Sequence, residues 1–311
     1  MKLSLVVPCY NEAENVEPFQ EAVMTAFREC GYTYEIIYID DGSSDATFHN
    51  LKKIHKMQLC PVRIVSFSRN FGKESAIYAG LQHAKGDYVC IIDGDLQQRP
   101  EIVRQMVSAL DEKPEYDVVA AYQDGRKESK LISFFKKGFY HIINRLASVD
   151  LKHDASDFRT MRRSVVESIL ALGEYHRFSK GIFAWVGFKT YFIPYQACKR
   201  NAGKSKWGFR KLTNYAIDGM IGYTTKPLKM ATFFGMMTAF AALAYLVFVV
   251  CQKLIAGIAI PGYATIIVLI LFLGGMQLLC IGVIGEYVGR IFEQSKDRPI
   301  YIAKEILDYD E

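Results

Sequence analysis

Two long uncharged runs near the C-terminus constrain the fold of this chain more than any other feature. Residues 230–250 and 263–285 contain no charged side chain and are 21 and 23 residues long. At about 1.5 Å of rise per residue, a helix of either length spans about 30 Å or more, which is enough to cross the hydrocarbon core of a bilayer. The core helices of a soluble protein are seldom so long and so uniformly apolar. We therefore expect a hairpin of two transmembrane helices, broken at Pro261 and Gly262.

The charges that flank this hairpin predict its orientation. Basic residues lie before the first span and after the second, at Lys226, Lys229, Arg290, Lys296 and Arg298. The segment that connects the spans contains one basic residue, Lys253. The positive-inside rule then places both ends in the cytoplasm and makes the chain a multi-pass protein of the cell membrane.

This orientation divides the chain into three parts. We expect a cytoplasmic domain over residues 1–226, two membrane helices within 227–286 and a cytoplasmic tail over 287–311. The tail alternates around Pro299–Ala303, which is typical of an exposed strand. Because an exposed strand edge can pair with another subunit, a homo-oligomer is allowed but not required.

Composition excludes several classes of protein. Half of the residues are hydrophobic, so the chain is not disordered as a whole. The net charge of +5 is too small for a typical nucleic-acid-binding domain, although local basic clusters suit phosphates or anionic lipid headgroups. The seven cysteines are scattered without the spacing of a zinc site or a disulfide framework, which favours a reducing compartment.

The first hundred residues alternate strand and helix patterns. Short apolar runs at 3–7, 34–39, 62–67 and 88–92 are separated by helical stretches at 14–30, 46–56 and 74–85. Strands that are apolar throughout and alternate with helices predict an α/β fold with a mostly parallel sheet covered on both faces. In such sheets ligands bind beyond the carboxyl ends of the strands, so the residues that follow each strand are the candidates for chemistry.

Residues 131–147 form a helical pattern with one large apolar face edged by lysine and arginine. This pattern fits either an amphipathic helix in the membrane interface or a helix that packs on a protein core. The two hydrophobic spans that follow favour the membrane interface.

Acidic turns follow three of the predicted strands. They are Pro8–Glu12, Asp40–Asp45 and Asp93–Gln97. Because carboxylates gathered at one sheet edge repel each other, a cation or hydrogen-bond donors must compensate them. Asp93 and Asp95 can reach one hard cation and Gln97 adds a neutral oxygen, so we expect Mg²⁺ or Mn²⁺ shared with a substrate phosphate.

These turns, together with Ser68–Lys73, closely resemble family 2 glycosyltransferases of the GT-A fold, and more narrowly the polyprenyl-phosphate glycosyltransferases. The resemblance extends through Ser156–Arg159, Arg177–Lys189, Arg200–Trp207 and the membrane hairpin, and so covers nearly the whole chain. One departure is visible at Gln98 and Arg99, where the family often has an acidic residue or histidine followed by proline. The Gln-x-x-Arg-Trp motif of processive synthases is absent, which favours the transfer of a single sugar.

The resemblance implies a Rossmann-like GT-A catalytic domain and a role for each turn. Residues implied to bind the sugar nucleotide are Pro8, Tyr10, Glu12, Asp40, Asp41, Lys73, Asp93 and Gly94, with Asp41 accepting a hydrogen bond from the base. Those implied to hold the metal are Asp93, Asp95 and Gln97. Asp95 and Asp157 are the implied catalytic carboxylates, although Asp157 could equally orient the acceptor or hold Arg159.

Basic residues complete the expected site. Those expected to gather the acceptor phosphate and the departing diphosphate are Arg126, Arg159, Arg200, Lys204 and Lys206. Arginine suits such recognition because its guanidinium binds phosphate in a bidentate manner, although any single basic residue can also be a solvated surface charge. Lys73 either reaches a phosphate or simply begins its helix.

The resulting hypothesis is a membrane-anchored enzyme that moves one hexose, glucose or an N-acetylhexosamine, from a UDP-sugar to undecaprenyl phosphate with inversion. Two alternatives stay open: an enzyme of the same fold with another lipid or glycan acceptor, and a non-catalytic membrane protein that binds sugar nucleotides.

Overall fold

The computed structural model describes residues 2–28, 30–123, 155–198, 221–222, 224–256 and 262–309. The strands are β1 Lys2–Cys9, β2 Thr33–Asp40, β3 Val62–Phe67, β4 Tyr88–Ile91, β5 Val118–Gln123, β6 Ala155–Arg162, β7 Thr190–Tyr195 and β8 Ala303–Leu307. The helices are α1 Val16–Phe27, α2 Thr47–Met57, α3 Lys73–His83, α4 Pro100–Glu112, α5 Arg163–Leu170, α6 Ser179–Trp185, α7 Lys226–Ala256 and α8 Tyr263–Ser295. The predicted interfacial helix at 131–147 lies outside the described residues.

The strands form one sheet in the order β7-β5-β6-β4-β1-β2-β3-β8. Its centre, from β4 through β1 and β2 to β3, is parallel, as the alternating strand and helix patterns predict. Two later strands are antiparallel to their neighbours. Strand β6 lies between β4 and β5 and is antiparallel to both, and β8 is antiparallel to β3. The mostly parallel α/β fold is therefore confirmed.

Helices cover both faces of this sheet. Alternate side chains of β1 point to opposite faces, so Leu5 packs with Phe19 of α1 and Val103 of α4, whereas Val6 packs with Ile77 of α3. All of these side chains are buried. Because both faces are covered, the central strands must be apolar at successive positions, which is the pattern seen in the sequence.

Helix α3 lies unusually close to β1. A Cβ atom added at Gly80 would lie 2.1 Å from Cγ1 of Val6, so only glycine allows this approach. The contact fixes α3 on the sheet, and its first residue, Lys73, lies at the sheet edge that carries the acidic turns.

The C-terminal tail returns to the sheet of its own chain. Its strand is β8, at Ala303–Leu307 rather than around Pro299, and it pairs antiparallel with β3 of its own chain. Because β8 is the last strand of the described sheet, pairing of its outer edge with a second subunit stays a prediction. The guanidinium of Arg63 on β3 is almost fully buried and bonds both carboxylate oxygens of Asp308, at 3.0 and 2.9 Å. The tail is therefore an integral part of the α/β domain.

Helices α7 and α8 form the hairpin that the two uncharged runs predict. Residues 226–252 and 269–295 are long and apolar enough to cross a membrane, and neither stretch is covered by the rest of the described chain. Helix α8 continues without a break for ten residues beyond the uncharged run, from Glu286 to Ser295. This extension brings its end to the α/β domain.

Candidate active site

The three acidic turns lie together at one edge of the sheet. Strands β1, β2 and β4 are parallel neighbours, so the turns that follow them meet beyond their carboxyl ends. Side chains join the first two turns directly. Ser44 donates its backbone N–H to Oδ1 of Asn11 at 2.8 Å, and Glu12 donates its own to Oγ1 of Thr47 at 2.8 Å.

Asp40 and Asp41 are both buried where β2 ends. Asp40 accepts hydrogen bonds from the Ser43 backbone and from Oγ of Ser66, at 3.0 and 2.8 Å. Asp41 accepts bonds from the backbone N–H groups of Phe71 and Gly72, at 2.7 and 3.0 Å. Burial raises the pKa of Asp41 to about 6, and these two backbone bonds oppose the shift.

Asp41 therefore supports the loop that leads into α3. Asn70 adds a third donor, its Nδ2 lying 2.9 Å from Oδ2 of Asp41. Gly42 has φ +63°, and a Cβ atom there would lie 2.3 Å from the carbonyl carbon of Arg69, so the loop packs closely on this turn. The role of Asp41 toward a base stays a prediction.

The turn after β4 is ordered by Gln98, the residue at which the sequence departs from the family pattern. Its amide oxygen accepts the backbone N–H of Asp93 at 2.9 Å, and its amide nitrogen donates to Oδ2 of Asp93 at 3.0 Å. Asp95 is buried and accepts the backbone N–H of Gln97 at 3.1 Å. An amide can donate and accept at once, which is how glutamine fixes Asp93 at this position.

Lys73 contacts two carboxylates, one in the turn after β4 and one on β6. Its Nζ lies 2.7 Å from Oδ1 of Asp93 and 3.3 Å from Oδ2 of Asp157. Burial lowers the pKa of Lys73, but the two carboxylates outweigh this and raise it above its ordinary value. Lys73 thus begins α3 and also reaches into the site, where it contacts carboxylates. Its contact with a phosphate stays a prediction.

Asp157 lies on β6 and is ionised in this setting. Burial raises its pKa, but the positive charges of Lys73, Lys180 and Arg159 outweigh that effect and lower it. Its other oxygen, Oδ1, is buried and has no hydrogen-bond partner among the residues that the structure describes. Lys180 lies within the 177–189 stretch of the family resemblance, but it was not singled out from the sequence as a site residue.

Arg159 is buried beside Asp157. Its guanidinium lies over the ring of Phe183, 3.7 Å from the centroid, and donates to the backbone oxygen of Ser156 at 3.0 Å. Burial lowers the pKa of Arg159 to about 10, so the group stays charged at neutral pH.

The remaining basic candidates, Arg126, Arg200, Lys204 and Lys206, lie outside the described residues. The described segment that precedes three of them is attached to the Asp93–Gln97 turn. Cys198 donates its backbone N–H to the carbonyl of Gln97 at 3.1 Å, and its sulfur accepts Nε of Arg99 at 2.8 Å.

Across the described part of the chain, no three His, Cys, Asp or Glu side chains come together as a complete metal site. The predicted ligands Asp93, Asp95 and Gln97 are two carboxylates and one amide. This set fits a magnesium-like ion only if a substrate supplies further oxygens, as is usual for Mg²⁺.

Comparison with known proteins agrees with this arrangement. The model of the family "Glycosyl transferase family 2" matches residues 4–170, and that of the "GtrB C-terminal hairpin" matches residues 226–291. The bactoprenol glucosyl transferase of Shigella phage SfV is 39% identical over 304 residues, which cover 98% of each chain. The prophage bactoprenol glucosyl transferase homolog of Escherichia coli K12 is 38% identical over 98% of this chain and 99% of its own.

Among solved structures, the glucosyl-3-phosphoglycerate synthase of Mycobacterium tuberculosis aligns with a TM-score of 0.48 at 18% identity, over 71% of this chain and 77% of that one. The family match covers more than half of the chain, and the relatives match along almost all of it. With its acidic turns at one sheet edge and its C-terminal hairpin, this chain belongs to glycosyl transferase family 2 and is a membrane-associated glycosyltransferase of the GT-A fold.

Proposed function

We propose that the enzyme transfers one hexose, glucose or an N-acetylhexosamine, from a UDP-sugar to the phosphate of a polyprenyl lipid such as undecaprenyl phosphate. The observation that carries this proposal is the combination in one chain of a carboxylate-lined sheet edge and a membrane hairpin. Relatives that match the full length and are named bactoprenol glucosyl transferases support the lipid acceptor.

The donor would lie across the carboxyl ends of β1, β2 and β4. Pro8, Tyr10, Glu12, Asp40 and Asp41 would hold the nucleoside. Tyr10 is more than one-third exposed, which leaves its ring accessible to a ligand. Gly94 would let the chain pass close to the diphosphate.

Asp93, Asp95 and Gln97 would hold a divalent cation, Mg²⁺ or Mn²⁺, on the diphosphate. The cation would neutralise the negative charge that develops on the diphosphate as it leaves. Lys73 is a cationic side chain at the same place, and it would donate to the same diphosphate when Asp93 binds the metal. The ammonium and the metal would thus share the neutralisation of a strongly anionic site.

The acceptor phosphate needs no strong general base. A phosphate monoester has a second pKa of about 6 and is mostly dianionic at neutral pH, so it is already a nucleophile. Attack on the anomeric carbon from the side opposite the diphosphate would invert its configuration. Asp157, held ionised by Lys73, would then orient the reactants. Its Oδ1, which has no hydrogen-bond partner among the described residues, would accept a hydrogen bond from a sugar hydroxyl or from a monoprotonated phosphate.

Basic residues would bind the acceptor. Arg159 is charged and buried next to Asp157. Arg200, Lys204 and Lys206 follow Cys198 closely in the sequence, and the backbone of Cys198 is bonded to Gln97 of the predicted metal turn. Arg126 would complete this set. With both ends of the hairpin in the cytoplasm, these groups would meet the phosphate of a lipid in the inner leaflet.

The test is transfer of labelled sugar into lipid. Purified enzyme in detergent receives undecaprenyl phosphate, Mg²⁺ or Mn²⁺, and one radiolabelled nucleotide sugar at a time, and label that enters organic solvent is counted. We expect label from one UDP-sugar, lost with EDTA and in Asp95→Asn. If no donor labels the lipid while calorimetry still detects UDP binding, the proposed acceptor is wrong or the protein is not catalytic.

A further inference from the structure

The end of the second membrane helix makes a two-point contact with the α/β domain. Gln294 of α8 donates from Nε2 to the backbone oxygen of Gly173 at 2.8 Å, and its Oε1 accepts the backbone N–H of Tyr175 at 2.8 Å. One side-chain amide therefore engages the backbone on both sides of Glu174. The adjacent Glu293 contacts His176 of the same loop.

The contacted loop, residues 171–178, connects α5 to α6. Arg177 anchors it by donating to the backbone oxygens of Leu172 and Ile169, at 2.8 and 3.2 Å. The same guanidinium lies over the ring of Tyr78 on α3, 4.4 Å from its centroid. The loop is thus packed between the end of α8 and the helices that cover one face of the sheet.

Where the loop enters α6, it meets the first turn of α3. Glu74 accepts the backbone N–H of Ser179 at 2.9 Å and also bonds the Ser179 hydroxyl. Glu74 directly follows Lys73, whose ammonium contacts Asp93 and Asp157. A continuous series of contacts therefore runs from Gln294 through the loop, Ser179 and Glu74 to the two carboxylates.

We propose that Gln294 is a positioning residue, through which the second membrane helix holds the Lys73 end of α3 in its working place. The uncharged run of α8 ends at Gly285, and the helix continues to Ser295. At about 1.5 Å per residue, its extension reaches about 14 Å from Gly285 to Gln294. An unbroken helix of this length sets both the orientation of the loop that it contacts and its distance from the membrane-spanning segment.

The effect on kcat that we expect rests on the proposed function, whereas the effect on the loop and on α3 does not. Loss of the Gln294 contacts should loosen the loop and, through Ser179 and Glu74, the first turn of α3. The nucleoside of the donor, which would supply most of its binding contacts, would be held by the turns after β1 and β2, and the Gln294 contacts do not touch these turns. We therefore expect a lower kcat with little change in the KM for the donor.

The experiment compares two variants of the full-length enzyme in detergent. Gln294→Ala removes both loop contacts. Ser295→Ala is the matched control, because the hydroxyl of Ser295 bonds only the carbonyl of Phe292 in its own helix among the contacts described. Backbone hydrogen exchange is followed by mass spectrometry in peptides covering residues 171–180 and 72–77, with α2 as the internal reference.

For Gln294→Ala we expect backbone exchange to be about five- to 25-fold faster in both segments, since each of the two lost hydrogen bonds contributes about a factor of five to local closure. We expect kcat to fall about fivefold in the same variant, with the donor KM within about twofold of wild type. The control should match wild type throughout.

A second variant tests the connection itself. Glu74→Ala breaks the contact at the other end, and combining it with Gln294→Ala should lower kcat by less than the product of the two single effects. Unchanged exchange at 72–77 in Gln294→Ala, or a wild-type kcat, would overturn the proposal. If the wild-type enzyme transfers sugar to no acceptor, the proposed function fails, and exchange at 72–77 alone then decides whether Gln294 acts on α3.

Discussion

The ammonium of Lys73 lies 3.3 Å from the carboxylate of Asp157. The two residues are far apart in the sequence, since Lys73 begins α3, which precedes β4, and Asp157 lies on β6, which follows it. Asp93 completes the arrangement at 2.7 Å from the same nitrogen. Two carboxylates that would repel each other therefore share one cation. The arrangement keeps Asp157 ionised and holds both carboxylates close to the place where a diphosphate would lie.

Replacement of Lys73 tests this shared cation. In Lys73→Met the carboxylates lose their countercharge and the diphosphate loses a donor, so we expect transfer to fall at least about 100-fold. Binding of Mn²⁺ should tighten, because the ammonium no longer competes for Asp93. The measurements are the transfer rate and Mn²⁺ binding followed by electron paramagnetic resonance. Lys52→Met, which removes a half-exposed ion pair with Glu305, is the control and should keep the wild-type rate. Weaker Mn²⁺ binding in Lys73→Met would contradict this account.

The raised pKa of Asp41 predicts a specific dependence of stability on pH. The folded carboxyl titrates at about 6 and the free carboxyl near 3.8, so between these values the folded state binds more protons. The Asp41 contribution to the free energy of unfolding is therefore fully present below the lower value and is lost as the pH rises through the higher one. Thermal unfolding of wild type and Asp41→Asn is compared across this range. We expect the melting temperature of wild type to fall relative to the variant as pH rises, and a constant difference would show that the pKa is not raised.

The ion pair that attaches the C-terminal tail should contribute strongly to stability. Asp308→Asn leaves the guanidinium of Arg63, whose side chain is only 3% exposed, without its countercharge. Breaking a pair with one deeply buried partner costs about 2–3 kcal/mol. For a domain of this size, that corresponds to a fall in melting temperature of about 5–10 °C. Glu305→Gln, three residues earlier in β8, breaks the partly exposed pair with Lys52 of α2 and should change stability by less than about 0.5 kcal/mol. Equal effects of the two variants would mean that burial does not decide the strength of the Arg63 pair.

Gly80 is expected to control how α3 seats on the sheet. In Gly80→Ala the new methyl group would overlap Val6, which is fully buried and cannot move aside. Overpacking of this kind costs about 1–3 kcal/mol, and a displaced α3 would also carry Lys73 away from its carboxylates. Both the melting temperature and the transfer rate are measured, and both should fall. Gly31→Ala is the control, because no atom lies within 4 Å of a Cβ there. A Gly80→Ala variant with wild-type stability and rate would contradict the close packing.

Much of this site was predictable from the sequence for a simple geometrical reason. Parallel neighbouring strands bring their carboxyl ends together, so the turns at Asp40 and Asp93 had to meet once the strands were identified. The antiparallel insertion of β6 is different, because local periodicity does not reveal which strand lies next to β4. The approach of Asp157 to Lys73 depends on that insertion, and the family resemblance implied Asp157 as a site residue but not this contact.

The contacts that the sequence analysis missed are of the same long-range kind. Gln294 and Gly173 carry no local signal of their meeting, and neither do Ser179 and Glu74. The tail strand shows the intermediate case, since its alternation indicated a strand but not its partner. The ion pair between Arg63 and Asp308 at the edge of the sheet is visible only in the folded chain.

The central claim is that the acceptor is a lipid phosphate. The most direct measurement compares transfer of labelled sugar to undecaprenyl phosphate and to undecaprenol, which has the same chain without the phosphate, at equal concentration in the same detergent. The account predicts labelled lipid from the phosphate and at least about 1,000-fold less from the alcohol, because only the phosphate is ionised and suited to the basic residues. Equal labelling of the two lipids would contradict it and would require a general base that activates a hydroxyl.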